Sequence, residues 1–275
     1  GPNGAGKSTT ISIISTLISK YKGSVKYFGN LVDKSNKDYL KEIGVVPQEI
    51  ALYQEMTGLE NLKFFAKAYS IKDMILKKRI NELKDIIGID KRLNDKVKTY
   101  SGGMQRRLNI GVALMHKPKL LIMDEPTVGI DPQSRKHILD TVLDLNENGM
   151  TIIYTSHYME EVEYLCDRIY ILDKGNIIAS GTKEELIQKI DSENILRVKF
   201  NNISIKLKEK LKKFKESKIN LDKNEFEINT ENTEKIMEEI FEIAKDFEEN
   251  ILSVDVKRPN LEALFLHLTG KDLRD

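Results

Sequence analysis

The first ten residues, GPNGAGKSTT (residues 1–10), decide the fold that we predict for this chain. They fit the phosphate-loop pattern G-x-x-x-x-G-K-[ST], with Gly1 as the first glycine and Gly6, Lys7 and Ser8 as its end. Glycines let successive backbone N–H groups point at phosphate oxygens, and a helix that begins near Lys7 adds the positive end of its dipole. Lys7 would supply charge for the β- and γ-phosphates, and the Ser8 hydroxyl an oxygen for Mg²⁺. A glycine-rich turn capping an ordinary helix is the alternative.

Composition places bounds on the possible functions. The 275 residues include 44 Lys and Arg against 43 Asp and Glu, so no strong net charge draws the protein to nucleic acid or to an anionic membrane. No apolar run approaches the 18 or so residues that a membrane span needs. The single cysteine, Cys166, excludes an internal disulfide and suits a reducing compartment. It falls in a predicted helix, where packing explains it better than reactivity does.

Hydrophobic periodicity predicts an α/β domain over residues 1 to about 190, with a mostly helical insert at about residues 52–116. A helix from Lys7 to about Ser19, stopped by Gly23, follows the phosphate loop, and Thr57 with Glu60 forms a capping box. We predict strands at residues 43–46, 120–123 and 151–155, hairpins at 23–32 and 168–181, and further helices at 36–42, 57–69, 75–87 and 182–188.

The pattern changes after about residue 193. Three strand-like runs, ILRVKF, EFEIN and ILSVDVK, are separated by helices near residues 206–216 and 234–247, and a last helix follows near 261–268. This predicts a small α+β domain over residues 194–275. The stretch KLKEKLKKFKESK could indicate nucleic-acid binding, but its apolar positions Leu207, Leu211 and Phe214 make a solvated helix face the better interpretation.

Several polar residues lie at the ends of predicted strands or at the starts of predicted helices, where ligand-binding and catalytic residues are often found. Asp124 and Glu125 end an apolar strand, where they would face Mg²⁺ and the γ-phosphate with its attacking water rather than form a solvated acidic turn. Ser101 followed by two glycines opens a helix and forms a second candidate anion site. Asp131 before Pro132 is fully explained as a helix cap, and His157 by itself fits a structural role better than a catalytic one. Gln48 by itself is weak evidence for a ligand site.

The order of these motifs along the chain resembles that of a known protein family. GPNGAGKST, Gln48, YSGGMQ, LLIMDEP, VGIDP and TSH occur in that order, and residues 1 to about 190 resemble the ATP-binding subunit of an ABC transporter. The resemblance implies a P-loop NTPase fold of the ABC nucleotide-binding type with a helical subdomain, followed by the small α+β domain. It implies an ATPase whose catalytic residues are Glu125 as base, His157 as switch histidine and Gln48 as the glutamine that senses γ-phosphate and Mg²⁺ near the surface coupled to the membrane partner.

The remaining site residues follow from the same resemblance. The metal ligands would be Ser8, Gln48 and Asp124, with Mg²⁺ as cofactor, and Asp131 would be the D-loop aspartate. The signature that reaches the partner's ATP would be Ser101, Gly102, Gly103, Met104 and Gln105, where Tyr100 and Met104 depart from the commoner LSGGQ. The ATP-binding loop would comprise Gly1, Pro2, Asn3, Gly4, Ala5, Gly6, Lys7, Ser8 and Thr9.

YSGGMQRRL and the ending LEALFLHLTG resemble the ABC-2 exporter branch. The resemblance implies a second nucleotide-binding domain, either identical or a paired homologue, and a separate transmembrane permease. It also implies that this chain is cytoplasmic and peripheral on the cytoplasmic face of the cell membrane. It implies no nucleic-acid partner. An ABC-type ATPase that acts on ribosomes or DNA, and a truncated remnant without catalysis, are the alternatives. The family carries a supporting strand before its phosphate loop, so we expect the sequence to be N-terminally truncated and, as written, to bind ATP poorly.

Overall fold

The computed structural model describes residues 1–189, 194–214 and 217–269. Its contacts define two compact units, one that runs from Gly1 to Ser180 and one that begins at Gly181. The boundary that the sequence predicts between residues 190 and 194 stays a prediction, because residues 190–193 lie outside the described ranges.

The first unit alternates helices with strands, as the hydrophobic pattern predicts. Two 3-10 turns, Asp90–Arg92 and Val97–Thr99, lie between the helices Asp73–Ile87 and Gly102–Leu114. The elements in chain order are α1 (Lys7–Ile14), β1 (Lys26–Tyr27), β2 (Asn30–Leu31), α2 (Lys37–Glu42), β3 (Ile43–Val46), α3 (Gly58–Ala68), α4 (Asp73–Ile87), α5 (Gly102–Leu114), β4 (Leu120–Asp124), α6 (Pro132–Glu147), β5 (Thr151–Thr155), α7 (Met159–Leu165), β6 (Ile169–Asp173) and β7 (Asn176–Gly181).

A parallel sheet with strand order β3-β4-β5 positions the candidate site. Val46 aligns with Met123, and Asp124 with Thr155, so the three strands end at one edge of the sheet. The residues that follow the strands therefore leave the sheet on the same side, which is where α/β proteins place ligands. β4, the central strand, is buried over its whole length.

The core of the first unit lies between this sheet and helices α3, α4 and α5. α3 begins at the predicted capping box, in which the Glu60 N–H donates to Thr57 Oγ1 at 3.1 Å and the Thr57 N–H donates to Glu60 Oε2 at 2.7 Å. α5 lacks a Cβ at Gly111, and this lets it approach Ile87 of α4 closely. The fully buried side chains of this core include Leu62, Leu83, Leu108, Leu114 and Leu121.

One helix is shorter than the sequence predicts. α1 ends at Ile14, because the N–H groups of Ser15 and Thr16 close its last turn and Thr16 takes a left-handed φ of 66°. Leu17, three positions beyond the end of α1, is 76% exposed. The predicted extension to Ser19, stopped by Gly23, is therefore wrong.

The second unit is a four-stranded antiparallel sheet with helices. Its elements are α8 (Lys183–Ile187), β8 (Asn194–Phe200), α9 (Ile205–Leu211), β9 (Lys218–Asn220), β10 (Glu225–Thr230), α10 (Thr233–Asp246), β11 (Ile251–Lys257) and α11 (Leu261–Thr269). The strand order β11-β8-β10-β9, together with the chain order β-α-β-β-α-β from β8 to β11, is the ferredoxin-like arrangement.

Alternate side chains of β8 and β10 are buried, and these side chains form the core of the second unit. Leu196, Val198 and Phe200 point to the same face as Phe226 and Ile228, and all five are buried. The edge strand β9 was not predicted, because its three residues, Lys-Ile-Asn, carry no apolar alternation. The helix predicted at 206–216 ends at Leu211, and residues 215–216 of that prediction lie outside the described residues.

Among the described residues, no helix is both long enough and apolar enough to cross a bilayer.

Candidate functional site

The phosphate loop makes a tight turn that only glycine tolerates. Gly4 and Gly6 have φ values of 75° and 101°, in the left-handed region that side chains disfavour. Gly6 is the N-cap of α1, and the Thr10 hydroxyl donates back to the Gly6 carbonyl at 2.9 Å. The Gly175 N–H donates to the Ala5 carbonyl at 3.0 Å and supports the loop from outside. The loop is therefore a fixed cradle rather than a plain helix cap.

Lys7 lies inside this cradle. Its side chain is buried, and Nζ donates to the carbonyls of Gly1 at 2.7 Å and Pro2 at 2.9 Å. Nζ also forms an ion pair with Glu125 Oε1 at 3.0 Å. The structure thus brings together the lysine and the glutamate that the sequence singled out, although 118 positions separate them in the numbering.

Glu125 is held in an unusual backbone conformation directly after β4. Its φ is 45°, in the left-handed region, and its N–H donates to both the carbonyl and the Oγ1 of Thr155 at 3.1 Å. A non-glycine residue in this region is strained by about 1–3 kcal/mol, which the surrounding contacts must offset. In this conformation the Glu125 carboxylate contacts Lys7.

The second oxygen of the same carboxylate meets His157. Glu125 Oε2 lies 3.1 Å from His157 Nδ1, so one carboxylate bridges a buried ammonium and an imidazole. Burial raises the pKa of Glu125, but the hydrogen bond and charge of Lys7 and the contact with His157 outweigh it, and the net pKa is lowered. The carboxylate is therefore ionised at neutral pH and can accept a proton.

Asp124 is a buried carboxylate of a different kind. It is 6% exposed, and its Oδ1 accepts a hydrogen bond of 2.6 Å from Thr155 Oγ1. Within residues 1–189, no described ion pair includes Asp124. A buried anion whose described partner is a neutral hydroxyl fits a site for a divalent cation.

The segment that carries Gln48 is fixed by an arginine that sequence reasoning missed. Arg106 of α5 is buried, and its guanidinium donates to the carbonyls of Pro47 at 2.7 Å and Gln48 at 2.5 Å. Burial lowers the pKa of Arg106. The Gln48 side chain itself is exposed. Nothing in the QRRL sequence distinguishes Arg106 from Arg107, so only the packing of α5 reveals this contact.

The signature residues form the start of α5. Ser101 is its N-cap, with Oγ accepting from the Met104 N–H at 3.3 Å, and Ser101 and Gly102 are exposed. Gly103 is buried, and a Cβ there would collide with Ser134 of α6. Within residues 1–189, none of the described hydrogen bonds or ion pairs joins this turn to the phosphate loop.

The two departures from the commoner signature are accommodated by packing. Tyr100 is buried, and its hydroxyl donates to the Arg92 carbonyl at 2.6 Å. Met104 packs against the core of the first unit. Ser101 and Gly102, which lie between these two residues, are exposed.

Asp131 caps α6, as its sequence position suggests. Its Oδ1 accepts from the Ser134 N–H at 2.9 Å, and hydrogen bonds from Ser134 lower the pKa of the Asp131 carboxyl. Its role as a D-loop aspartate stays a prediction. Ser8 and Thr9, the proposed phosphate and metal contacts at the start of α1, are exposed and free to meet a ligand.

Comparisons with known proteins converge on one family. The family model for "ABC transporter" matches residues 1–128. The chain is 49% identical over 278 aligned residues to the linearmycin resistance ATP-binding protein LnrL of Bacillus subtilis, covering all of this chain and 89% of that protein. It is 38% identical to the daunorubicin/doxorubicin resistance ATP-binding protein DrrA of Streptomyces peucetius, over 74% of this chain and 61% of that protein.

One further relative and one solved structure agree with this family assignment. A Nod factor export ATP-binding protein I of Cupriavidus metallidurans is 32% identical over the whole chain and 88% of that protein. Among solved structures, the dimeric post-hydrolysis state of the ATP-binding cassette MJ0796 with ADP and Pi aligns with a TM-score of 0.59 and 27% identity, over 66% of this chain and 82% of that one.

Proposed function

This chain belongs to the ABC transporter family as an ATP-binding subunit, and we propose that Lys7, Glu125 and His157 are the residues with which it hydrolyses ATP. Membership makes the protein an ATPase that powers a separate permease. The observation that supports the residue assignment is the single carboxylate of Glu125, held between a buried ammonium and an imidazole where parallel strands end. Such a group is ionised, oriented and shielded from bulk water.

The chemistry divides among these residues. The Lys7 ammonium and the N–H groups of the phosphate loop stabilise negative charge on the β- and γ-phosphates. Glu125, whose lowered pKa leaves it ionised at neutral pH, orients the attacking water and accepts its proton. His157, whose Nδ1 donates to the ionised Glu125 carboxylate, helps to hold the γ-phosphate. ATP must displace Lys7 from its pair with Glu125 to reach this arrangement.

A magnesium ion, when bound with ATP, supplies electrostatic stabilisation of the phosphate oxygens. Ser8 and Asp124 would hold it, with Gln48 approaching from the segment that Arg106 fixes. Their hydroxyl, carboxylate and amide oxygens are the ligand types that Mg²⁺ prefers. The buried Asp124 carboxylate, which lacks a described ion-pair partner within residues 1–189, is the observation that supports this set.

We place the functional site between two nucleotide-binding domains. Ser101 and Gly102 are exposed, and their open helix start is suited to an anion that this chain's own phosphate loop does not present. The similar cassette MJ0796 was solved as a dimer with ADP and Pi. Two copies of this chain, or one copy and a homologue, would sandwich two ATP molecules, with each signature facing the partner's nucleotide.

The permease would dock beside Gln48. Tyr53 and Phe64, 47% and 42% exposed, form an edge-to-face pair with ring centroids 4.7 Å apart. Aromatic residues are enriched in protein interfaces. Because the relatives are resistance and export ATP-binding proteins, we propose that this protein works on the cytoplasmic face of the membrane as the motor of an exporter. Its similarity to two drug-resistance proteins supports an antibiotic-like cargo.

Substitution of the base tests the catalytic proposal. Glu125→Gln should keep ATP binding and lower hydrolysis about 100-fold or more, because the amide cannot accept the water's proton. Glu147→Gln, at an exposed site on α6, is the matched control and should hydrolyse normally. Near-normal turnover by the Glu125 variant would reject this residue as the base.

Isolation of the native complex tests the exporter proposal. The tagged protein would be recovered from membranes in mild detergent, and its partners identified by mass spectrometry. A polytopic membrane protein in stoichiometric yield is expected. Recovery of ribosomal or DNA-bound partners without a membrane protein would contradict the transporter assignment.

A further inference from the structure

We propose that Glu161 is a positioning residue for hydrolysis, because its buried carboxylate ties the segment that follows Glu125 to the segment that carries His157. The inference rests on the roles proposed above for Glu125 and His157. Glu161 lies in α7 and touches neither of them in the described contacts of residues 1–189. It would act through the four side chains that donate to it.

One oxygen holds the segment after Glu125. Glu161 Oε1 accepts from Thr127 Oγ1 at 2.7 Å and from Arg135 Nε at 2.6 Å. Thr127 lies two positions after the base, and Arg135 lies in the first turns of α6, which Asp131 caps. This oxygen therefore fixes the path from the base to the D-loop.

The other oxygen holds the segment around His157. Glu161 Oε2 accepts from Tyr154 Oη at 2.9 Å and from Ser156 Oγ at 2.8 Å. Ser156 Oγ in turn accepts from the Tyr158 N–H at 2.9 Å. The Tyr158 ring lies under the Arg135 guanidinium at 4.5 Å. His157 is thus held by its neighbours on both sides, and those neighbours are held by Glu161.

Burial and charge make this junction rigid. The Glu161 side chain is 1% exposed, and four donors saturate a carboxylate that has about four acceptor positions. Arg135 compensates its charge. Burial and the Glu161 charge raise the pKa of Tyr154, so the phenol remains a donor. A fully satisfied buried network is stiff and specifies one arrangement, so it keeps Nδ1 of His157 within reach of Glu125.

The first test replaces the carboxylate by its isosteric amide. In Glu161→Gln the amide oxygen can still face Arg135 and Thr127, but the amide nitrogen cannot accept from Tyr154 and Ser156. We expect kcat per nucleotide-binding site to fall about ten- to hundred-fold, as a misplacement of the order of 1 Å would produce. The dissociation constant for ATP should change by less than about two-fold, because Lys7 and the phosphate loop are untouched. Glu160→Gln, exposed on the same helix, is the control and should match the wild type.

The second test asks whether the loss passes through the His157 segment. Tyr154→Phe and Ser156→Ala each remove one donor to Oε2 and leave the fold's larger contacts in place. If Glu161 acts by holding this segment, Glu161→Gln combined with Tyr154→Phe should be no slower than the slower single variant. Multiplication of the two losses in kcat would overturn the proposal, and so would an unchanged kcat with only a lowered melting temperature.

The two proposals fail in different ways. If Glu125→Gln turns over ATP normally, the assignment of the base fails, and the inference about Glu161 falls with it. If Glu125→Gln is inactive while Glu161→Gln retains the wild-type kcat, only the positioning role is overturned.

Discussion

The two units of this protein bury different kinds of side chain. The described buried set contains twelve polar or charged residues, and all of them lie at or before Glu161, in the first unit. The described buried residues of the second unit are apolar, with Phe200, Phe226 and Leu207 fully enclosed. Charged pairs such as Arg197 with Glu227 lie at the more open face of its sheet.

This difference indicates that the first unit holds the reactive groups and that the core of the second unit has a structural role. A buried charge costs free energy unless a partner compensates it, so a fold accumulates buried charges only where an arrangement requires them. In the first unit, Lys7, Glu125 and Glu161 are buried and each has a partner. In the second unit, packing alone explains the core. Substitutions should therefore affect turnover in the first unit and stability in the second.

The largest expected effect is the loss of the buried ammonium. Lys7→Met should lower hydrolysis about 1000-fold, because the phosphates lose their charge partner and Glu125 retains only His157. ATP binding should weaken as well. Titration and steady-state assays would measure both, with the exposed Lys20→Met as control. If Lys7→Met hydrolyses ATP within about ten-fold of the wild-type rate, the buried charges of the first unit are not required for turnover, and the contrast with the second unit fails.

A large effect on stability is expected in the second unit. Phe226 is 0% exposed and packs edge-on against Phe214, with ring centroids 5.6 Å apart. Phe226→Ala should lower the free energy of unfolding by about 3–5 kcal/mol through the lost contacts and the cavity. Phe241→Ala, at a ring that is 48% exposed, should cost less than about 1 kcal/mol. Equal costs in denaturant titrations would contradict an apolar core centred on β10.

An intermediate effect on turnover is expected where Arg106 holds the Gln48 segment. Arg106→Lys leaves a charge but cannot donate to the Pro47 and Gln48 carbonyls with the same fork geometry. We expect kcat to fall about ten-fold, because Gln48 loses its fixed position. Arg107→Lys loses one 3.1 Å bond to the Gly88 carbonyl and should have little effect. Similar losses in the two variants would show that α5 stability, rather than the Gln48 contact, matters.

The smallest effect concerns pH. The lowered pKa of Glu125 in the folded state means that its ionised form contributes stability above the unfolded pKa, and that this contribution is lost as pH falls through the folded pKa. The stability difference between wild type and Glu125→Gln should therefore be flat near neutral pH. It should begin to change only as pH falls below the ordinary value of 4.5. A stability difference that grows in favour of the wild type as pH falls below 4.5 in thermal unfolding would contradict the direction of this shift.

The residues that the sequence predicts well are those whose function requires a local pattern. The phosphate loop needs glycines at fixed spacing before Lys7, and Glu125 follows a run of five buried residues. The capping box at Thr57 is also local, and it is present. The position of His157 beside Lys7 and Glu125 was expected only from the resemblance to the ABC family, since His157 by itself fits a structural role better.

The residues that the sequence does not reveal act over long separations. Arg106 reaches back 58 positions to Gln48, and Glu161 gathers donors up to 34 positions away. Nothing about an arginine in QRRL or a glutamate in MEEVEY distinguishes these residues from their exposed neighbours. Two local features also differ from the sequence prediction. β9 has only three residues, Lys-Ile-Asn, and shows no apolar alternation, and α1 ends early although its apolar pattern continues, because Thr16 is left-handed.

Cys166 is half-buried, and burial raises the pKa of its thiol to about 11, as expected of a packed cysteine.

The close approach of Gly103 to α6 limits which sequences can arise from this one. A Cβ at position 103 would collide with Ser134 and come within 3.2 Å of Asp131 Oδ2, so an alanine there requires Ser134 to change or α6 to shift. A substitution at position 103 alone is therefore unfavourable, whereas a paired change at positions 103 and 134 removes the collision. In a library that randomises both positions, active clones with a larger residue at 103 should carry a smaller one at 134.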